Sequence, residues 1–232
     1  MFNKKPFIKF INMSSDLDDC KPIDSKKFIP SWWKNLPLTH NGIPTIKNCP
    51  SFPDYFGSGY IVPMWLDVTA TPQENDSFLF SKKFAPFPGW DVHPGEQFVE
   101  HVPAYVGDRK VTHTLKINCP WHIITSPGYS VMQIPLFYEF NRNWTVLPGI
   151  IDTDTHHQIN QQVMIHSNLE PIEFKKGQPL ALYVPFKRQS YSLESRDATN
   201  SDIEYFEKKE EELQKFRKGG NAYRKLQRDR DS

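Results

Sequence analysis

The chain has 232 residues and a formal net charge of +1, so no global electrostatic pull toward nucleic acid or anionic membrane is expected. Twenty prolines against eleven glycines, with 14% aromatic residues, argue against long helices and central strands and for short strands joined by ordered loops. Three cysteines (Cys20, Cys49, Cys119) are too few and scattered for a disulfide framework or a paired-cysteine zinc site.

Phe7 to Ile11 reads as a short edge strand with Lys9 between apolar neighbours, and residues 14–27 as polar loop. Residues 30–36 predict two helical turns closed by Pro37. The tandem Trp32 and Trp33 is either a core plug or a contact surface. Gly57-Ser58-Gly59 predicts a hinge-like turn into a strand over 60–68, with Pro63 marking an edge or a bulge. The proline-aromatic run 84–94 is expected to be ordered loop without a regular element.

Strand signals are densest over 111–185. Residues 111–117 alternate apolar and polar, the period of a half-buried strand. Further strands are predicted over 121–125, 129–138, 144–147, 158–165 and 179–184, separated by Pro/Gly turns. Residues 189–200 read as linker. Ser201 with Glu204 forms a candidate capping box opening a helix whose apolar side carries Ile203, Phe206, Leu213 and Phe216. That stripe must be buried on the chain's own body or on a neighbouring subunit. The expected organisation is an N-terminal arm (1–58), a β core (59–188), a linker (189–200) and a charged helical tail (201–232). The N-terminus has lysines but no apolar stretch after them, so no signal peptide is expected.

Three stretches resemble a known family. The turn at Ser126-Pro127-Gly128 running to Pro135, the segment 149–154 (Gly-Ile-Ile-Asp-Thr-Asp) and residues 172–181 are similar to parts of the trimeric dUTPases and dCTP deaminases. The resemblance implies a mainly β fold: a β-clip-like (dUTPase-like) antiparallel core with proline/aromatic-rich loops, an N-terminal extended arm and a C-terminal α-helical tail. It also implies a homo-oligomer, a trimer by analogy. The residues that do that family's chemistry are largely replaced. Leu136-Phe137 stand where the phosphate-binding Arg-Ser would follow Pro135, Thr155-His156-His157 follow Asp154 in place of Tyr-Arg-Gly, and Leu182 replaces a glutamine. The chain as a whole also resembles a family from tailed bacteriophages and some bacteria that carries no assigned activity. Residues 32–37, 47–63, 120–130, 149–154 and 176–188 carry that likeness.

Asp152, Asp154 and His156 alternate, which in an extended strand puts them on one face about 6.6 Å apart. They are the candidate catalytic residues, and with His166 a candidate mixed N/O metal site. The competing reading has the aspartates hydrogen-bonding their own turn backbone. Cys119 beside His122 is a minimal thiol kit, but adjacent strand residues point to opposite faces. Lys187 and Arg188 could touch phosphates.

These residues lead to a non-enzymatic structural or assembly protein, phage-encoded and self-associating, with other virion proteins as further partners. Its place would be the host cytoplasm or the virion, with no cofactor, membrane or nucleic-acid partner. The alternative is a nucleotide-binding or nucleotide-hydrolysing enzyme with an altered dUTPase-like site.

Overall fold

A computed structural model describes residues 5–14, 20–49, 51–73, 77–81, 90–93, 113–139, 143–166 and 170–217, with backbone alone at 90–93, 113, 213 and 215–217. The chain divides into two compact units, Met1–Arg188 and Gln189–Ser232.

The first unit is antiparallel β. Its largest described sheet has five strands, ordered β13 (Gly149–Ile151), β11 (Tyr129–Ile134), β16 (Pro179–Lys187), β5 (Tyr60–Pro63) and β2 (Ile23–Asp24). A second runs β12 (Trp144–Val146), β14 (Asn160–Ile165), β9 (His113–Asn118) and β8 (Trp90–His93). A third joins β15 (Ile172–Phe174), β6 (Val68–Pro72) and β7 (Phe78–Phe80), and β1 (Ile8–Asn12) pairs with β10 (Trp121–Thr125). A small hairpin, β3 (Thr39–His40) and β4 (Ile43–Pro44), turns on Asn41 and Gly42, both at positive φ. That is the Asn-Gly chemistry a two-residue turn demands.

Alternation drives the packing. β6, β10 and β14 bury every second residue, and Leu115, Ile117, Ile123, Val163, Ile165 and Phe174 meet in one core with Met64 and Trp65. One polar chain crosses this core. The Tyr183 hydroxyl donates to Gln133 Oε1 at 2.8 Å and accepts from Gln161 Nε2 at 2.9 Å, while Gln133 Nε2 reaches the Leu147 carbonyl at 3.0 Å. It links the five-stranded sheet to β14, and Tyr183 is fully buried.

Prolines end strands earlier than periodicity alone predicts. The strand expected over 60–68 stops at Pro63, because proline offers no ladder donor, and resumes as β6 in another sheet. β5 is not an edge strand, and the register shift opposite Pro63 lies on β16, between Pro179 and Ala181. β11 likewise ends before Pro135, and residues 137–139 form a 3₁₀ turn, not strand. Within the run expected to be structureless, Trp90–His93 is a strand: it pairs with β9, from Trp90 opposite Ile117 to His93 opposite Thr114. The rest of that run lies outside the described residues.

The tandem tryptophans lie on helix α1 (Ser31–Asn35), packed against helix α2 (Ser51–Phe56). Trp33 is buried and stacks on Phe52 at 4.8 Å; Trp32 donates its indole N–H to the Tyr138 carbonyl at 3.1 Å. The pair fastens the N-terminal segment to the loop after β11. Lys47 Nζ caps the end of α1 through the carbonyls of Lys34 and Leu36.

The second unit carries an extended arm and helix α3 (Asn200–Arg217). Its cap is not Ser201 but Thr199, whose hydroxyl accepts from the Asp202 N–H while Asp202 Oδ2 accepts from the Thr199 N–H at 2.8 Å. Aspartate is short enough to close the same reciprocal pair that glutamate makes, so the cap sits two residues earlier. Arg196 grips the Asp202 carboxylate with both terminal nitrogens, at 2.6 and 3.0 Å. Ile203, Tyr205 and Phe206 on α3 and Tyr191 and Leu193 on the arm are exposed; the side chains of Leu213 and Phe216 lie outside the described residues.

Candidate functional site

The acidic turn follows β13 and is held from three sides. Gly128, at φ +78°, turns the chain into β11 and presents its N–H to Asp154 Oδ2 at 2.8 Å. Arg188, at the end of β16, reaches both carboxylates. Its Nη1 donates to Asp154 Oδ1 at 2.9 Å and lies 3.2 Å from Asp152 Oδ1, and its Nη2 donates to Asp154 Oδ2. Ser130 Oγ donates to Asp152 Oδ1 at 2.6 Å and accepts from Arg188 Nη1 at 2.8 Å. The Arg188 N–H closes the ring on the Gly128 carbonyl at 2.9 Å. The result is a clasp that ties β11, β16 and the turn together through a forked guanidinium–carboxylate pair.

Beneath the clasp, Thr125 Oγ1 donates to the Tyr129 carbonyl, so its 2.8 Å contact with the buried Thr153 Oγ1 is donated by Thr153. The Asp152 backbone carbonyl accepts the N–H groups of Thr155 and His156, which closes the turn. The chain then runs beside β10, with Ile123 N–H bonded to the His157 carbonyl and Cys119 N–H to that of Ile159.

Asp152 and Asp154 thus lie together, but on Arg188. His156 is exposed and contributes its backbone. His166 sits at the opposite end of β14, with Nε2 2.8 Å from Thr145 Oγ1. Among the described residues no three His, Cys, Asp or Glu side chains are placed to hold a metal ion. His157 Nδ1 lies 3.1 and 3.0 Å from the carbonyls of Ile123 and Thr153, so it must carry the proton. The His122 pKa is lowered, first by burial and then by His157 and His156. Cys119 is no nucleophile: burial pushes its thiol up to about 12.

No protein-family model and no curated protein sequence matches this chain. Among solved structures it is similar to dUTPases. The dUTPase of phage phi11 of S. aureus (a point mutant) is 10% identical, with 84% of this chain aligned to 99% of that one and a TM-score of 0.39. A mutant dUTPase of phage 80alpha is 11% identical over 86% and 93% of the two chains, with a TM-score of 0.40. The EIAV dUTPase is 14% identical over 60% and 83%, with a TM-score of 0.36. The mainly antiparallel β architecture and the C-terminal helix are features of this chain's own structure. No site residue is transferred from the dUTPases.

Arg188 is the member of the cluster whose role the sequence did not disclose. Proximity to Asp154 raises the guanidinium's pKa, and Arg188 in turn holds the Asp154 carboxyl down at about 2, with the Gly128 N–H as the second cause. The Asp154 side chain is 9% exposed and Arg188 37%. A carboxylate with so little proton affinity is a poor general base near neutral pH.

This arrangement makes acid stability a readout of the clasp. The folded carboxyl titrates at about 2, below the ordinary aspartate value of 3.8, so its contribution is present above pH 4 and lost as pH falls toward 2. Urea melts from pH 5 to 2.5 are expected to show a steeper loss of stability in the wild type than in Asp154→Asn. Equal slopes would mean that Asp154 is not clasped in solution.

Proposed function

We propose that this chain is a non-enzymatic structural or assembly protein, phage-encoded and working as a homo-oligomer, a trimer on the family resemblance. The observation that carries the reading is the clasp: the two candidate catalytic carboxylates are spent on Arg188, Ser130 and Gly128 of their own chain. Self-association is supported by the second unit. Helices in proteins take most of their stability from packing an apolar face, and the 18-residue α3 carries one. Yet α3 exposes Ile203 at 46% and Phe206 at 62%, and the arm before it exposes Leu193 at 95%. Apolar side chains grouped this way suit burial against another subunit. No described helix is long and apolar enough to cross a membrane.

Light scattering on the full chain tests the reading. The wild type is expected to run as an oligomer at micromolar concentration, and Ile203→Asp/Phe206→Asp as a monomer with unchanged β-sheet circular dichroism. A monomeric wild type would refute self-association. Turnover of any nucleoside triphosphate by the wild type, lost in Asp154→Asn, would refute the non-enzymatic part.

A further inference from the structure

The largest described cavity of the β unit lies away from the acidic clasp. It has a volume of about 590 Å³, within the roughly 300–1,000 Å³ range of small-molecule sites. By contrast, the crevice behind it, between Phe28, Tyr55 and Tyr138, has about 10 Å³, room for one water at most.

The sequence builds this cavity from three strand ends. Leu136 and Phe137 come from the loop that Pro135 forces at the end of β11, Trp144 and Val146 from β12, and Leu180 from the start of β16. Trp144 is held by stacking on Phe174, with ring centroids 5.4 Å apart. The Phe137 ring, 68% exposed, stands edge-on to Tyr138. The hydroxyl of Thr145 is taken by His166, and the side-chain amide oxygen Oε1 of Gln178 by the Lys175 N–H.

Glu139 differs from these walls. It is the one ionisable side chain among the described lining residues. Its side chain makes no hydrogen bond or ion pair among the described residues, whereas Asp152, Asp154 and Glu173 are each engaged by a cation. The residue is exposed, yet the protein around its carboxyl raises its pKa by desolvation. Among the described residues this carboxylate has no cation beside it, at the edge of a cavity whose lining is otherwise uncharged. The complementary ligand has an apolar, ring-sized body and one protonated nitrogen.

We propose that this cavity is a binding site for a small organic ammonium compound, with the ring or hydrocarbon body against Phe137, Leu136 and Pro179, the accessible part of the lining, and the ammonium paired to Glu139. The site is independent of the clasp and of the assembly role. Asp154→Asn should leave it intact, and Glu139→Gln should leave the oligomer intact.

Calorimetry on the full chain at neutral pH tests the proposal with three indole probes: tryptamine (cationic), 3-methylindole (neutral) and indole-3-propionate (anionic). Tryptamine is expected to bind saturably at one per chain, and roughly fivefold or more tighter than indole-3-propionate, about 1 kcal/mol. In Glu139→Gln the tryptamine preference should vanish while 3-methylindole binding is unchanged, and in wild type the preference should fade as pH drops through the Glu139 titration. Absence of saturable binding by every probe at millimolar concentration would overturn the site. A preference that survives Glu139→Gln would overturn the role of Glu139. Affinity that falls as protein concentration rises would overturn the ligand reading too, because a second copy of the chain would then be filling the cavity.

Discussion

Gly59→Ala is expected to destabilise the protein by about 4 kcal/mol or more, enough to leave much of the chain unfolded at room temperature. A methyl group on Gly59 would sit 2.1 Å from the Tyr183 carbonyl oxygen and 3.1 Å from Val184 Cα, both backbone atoms of β16. Neither can swing away, so β5 and β16 would have to part. The Gly59 N–H also bonds Ser25 Oγ at 3.3 Å and its carbonyl accepts the Ser25 N–H at 3.0 Å, so separation would break the anchor of the N-terminal segment as well. Gly57 is the internal control. There the added methyl meets the Lys26 side chain at 2.7 Å, a flexible group that can move, and Gly57→Ala is expected to change stability by less than about 1 kcal/mol. Urea melts of the two variants side by side would check this, and similar midpoints for both would contradict the close approach of β5 to β16.

Tyr183→Phe is expected to cost about 2–4 kcal/mol although it deletes a single oxygen. That hydroxyl is donor to Gln133 and acceptor from Gln161, and all three side chains are buried. Removing it strands one amide oxygen and one amide nitrogen away from water, at about 1–3 kcal/mol for each. The deeper sign of the network is that Gln133→Leu combined with Tyr183→Phe should cost less than the sum of the two, since the double change removes both partners of one bond. Strict additivity in a double-mutant cycle would show that the bond contributes nothing. The same burial raises the Tyr183 pKa far above its ordinary value, so no absorbance change at 295 nm from this residue is expected until the protein unfolds in alkali.

The strands were the legible part of this chain. Alternation over 121–125 and 158–165 is a direct imprint of one face meeting the core, and β10 and β14 bury every second side chain as that pattern requires. What periodicity could not show was where proline interrupts: Pro63 and Pro135 each remove a ladder donor and divert the chain into a different sheet or a 3₁₀ turn. The hairpin at 39–44 carried a strong local signal, Asn41-Gly42, but two-residue strands are too short for any alternation to stand out. Gly59 looked like a hinge for the opposite of its real reason, since the missing side chain admits a neighbouring backbone and not a swing of its own.

The site was half legible. Asp152 and Asp154 were visible as a turn with two acids, but not where their carboxylates go: the Asp152 backbone carbonyl takes the local N–H groups, while the Asp152 carboxylate accepts from Ser130 and the Asp154 carboxylate from the Gly128 N–H, 26 residues away. Their partner was hidden because Arg188 is 34 residues from Asp154 and reaches it only through the pairing of β11 with β16. A basic residue at the end of a strand looks like a phosphate contact until sheet register shows which acid it faces. Glu139 was hidden in a different way: nothing in a single sequence shows that a glutamate after Tyr138 lines a cavity with no counter-ion among the described residues.

The claim that the acidic turn is an internal clasp and not a catalytic centre is tested most directly by carbon-detected NMR of the Asp152 and Asp154 carboxyls. The account predicts that Asp154 titrates at about 2. It also predicts that neither carboxyl signal moves when magnesium, dUTP or both are added at millimolar concentration. An Asp154 that titrates at or above the ordinary aspartate value, or that shifts on addition of nucleotide and metal, would contradict it.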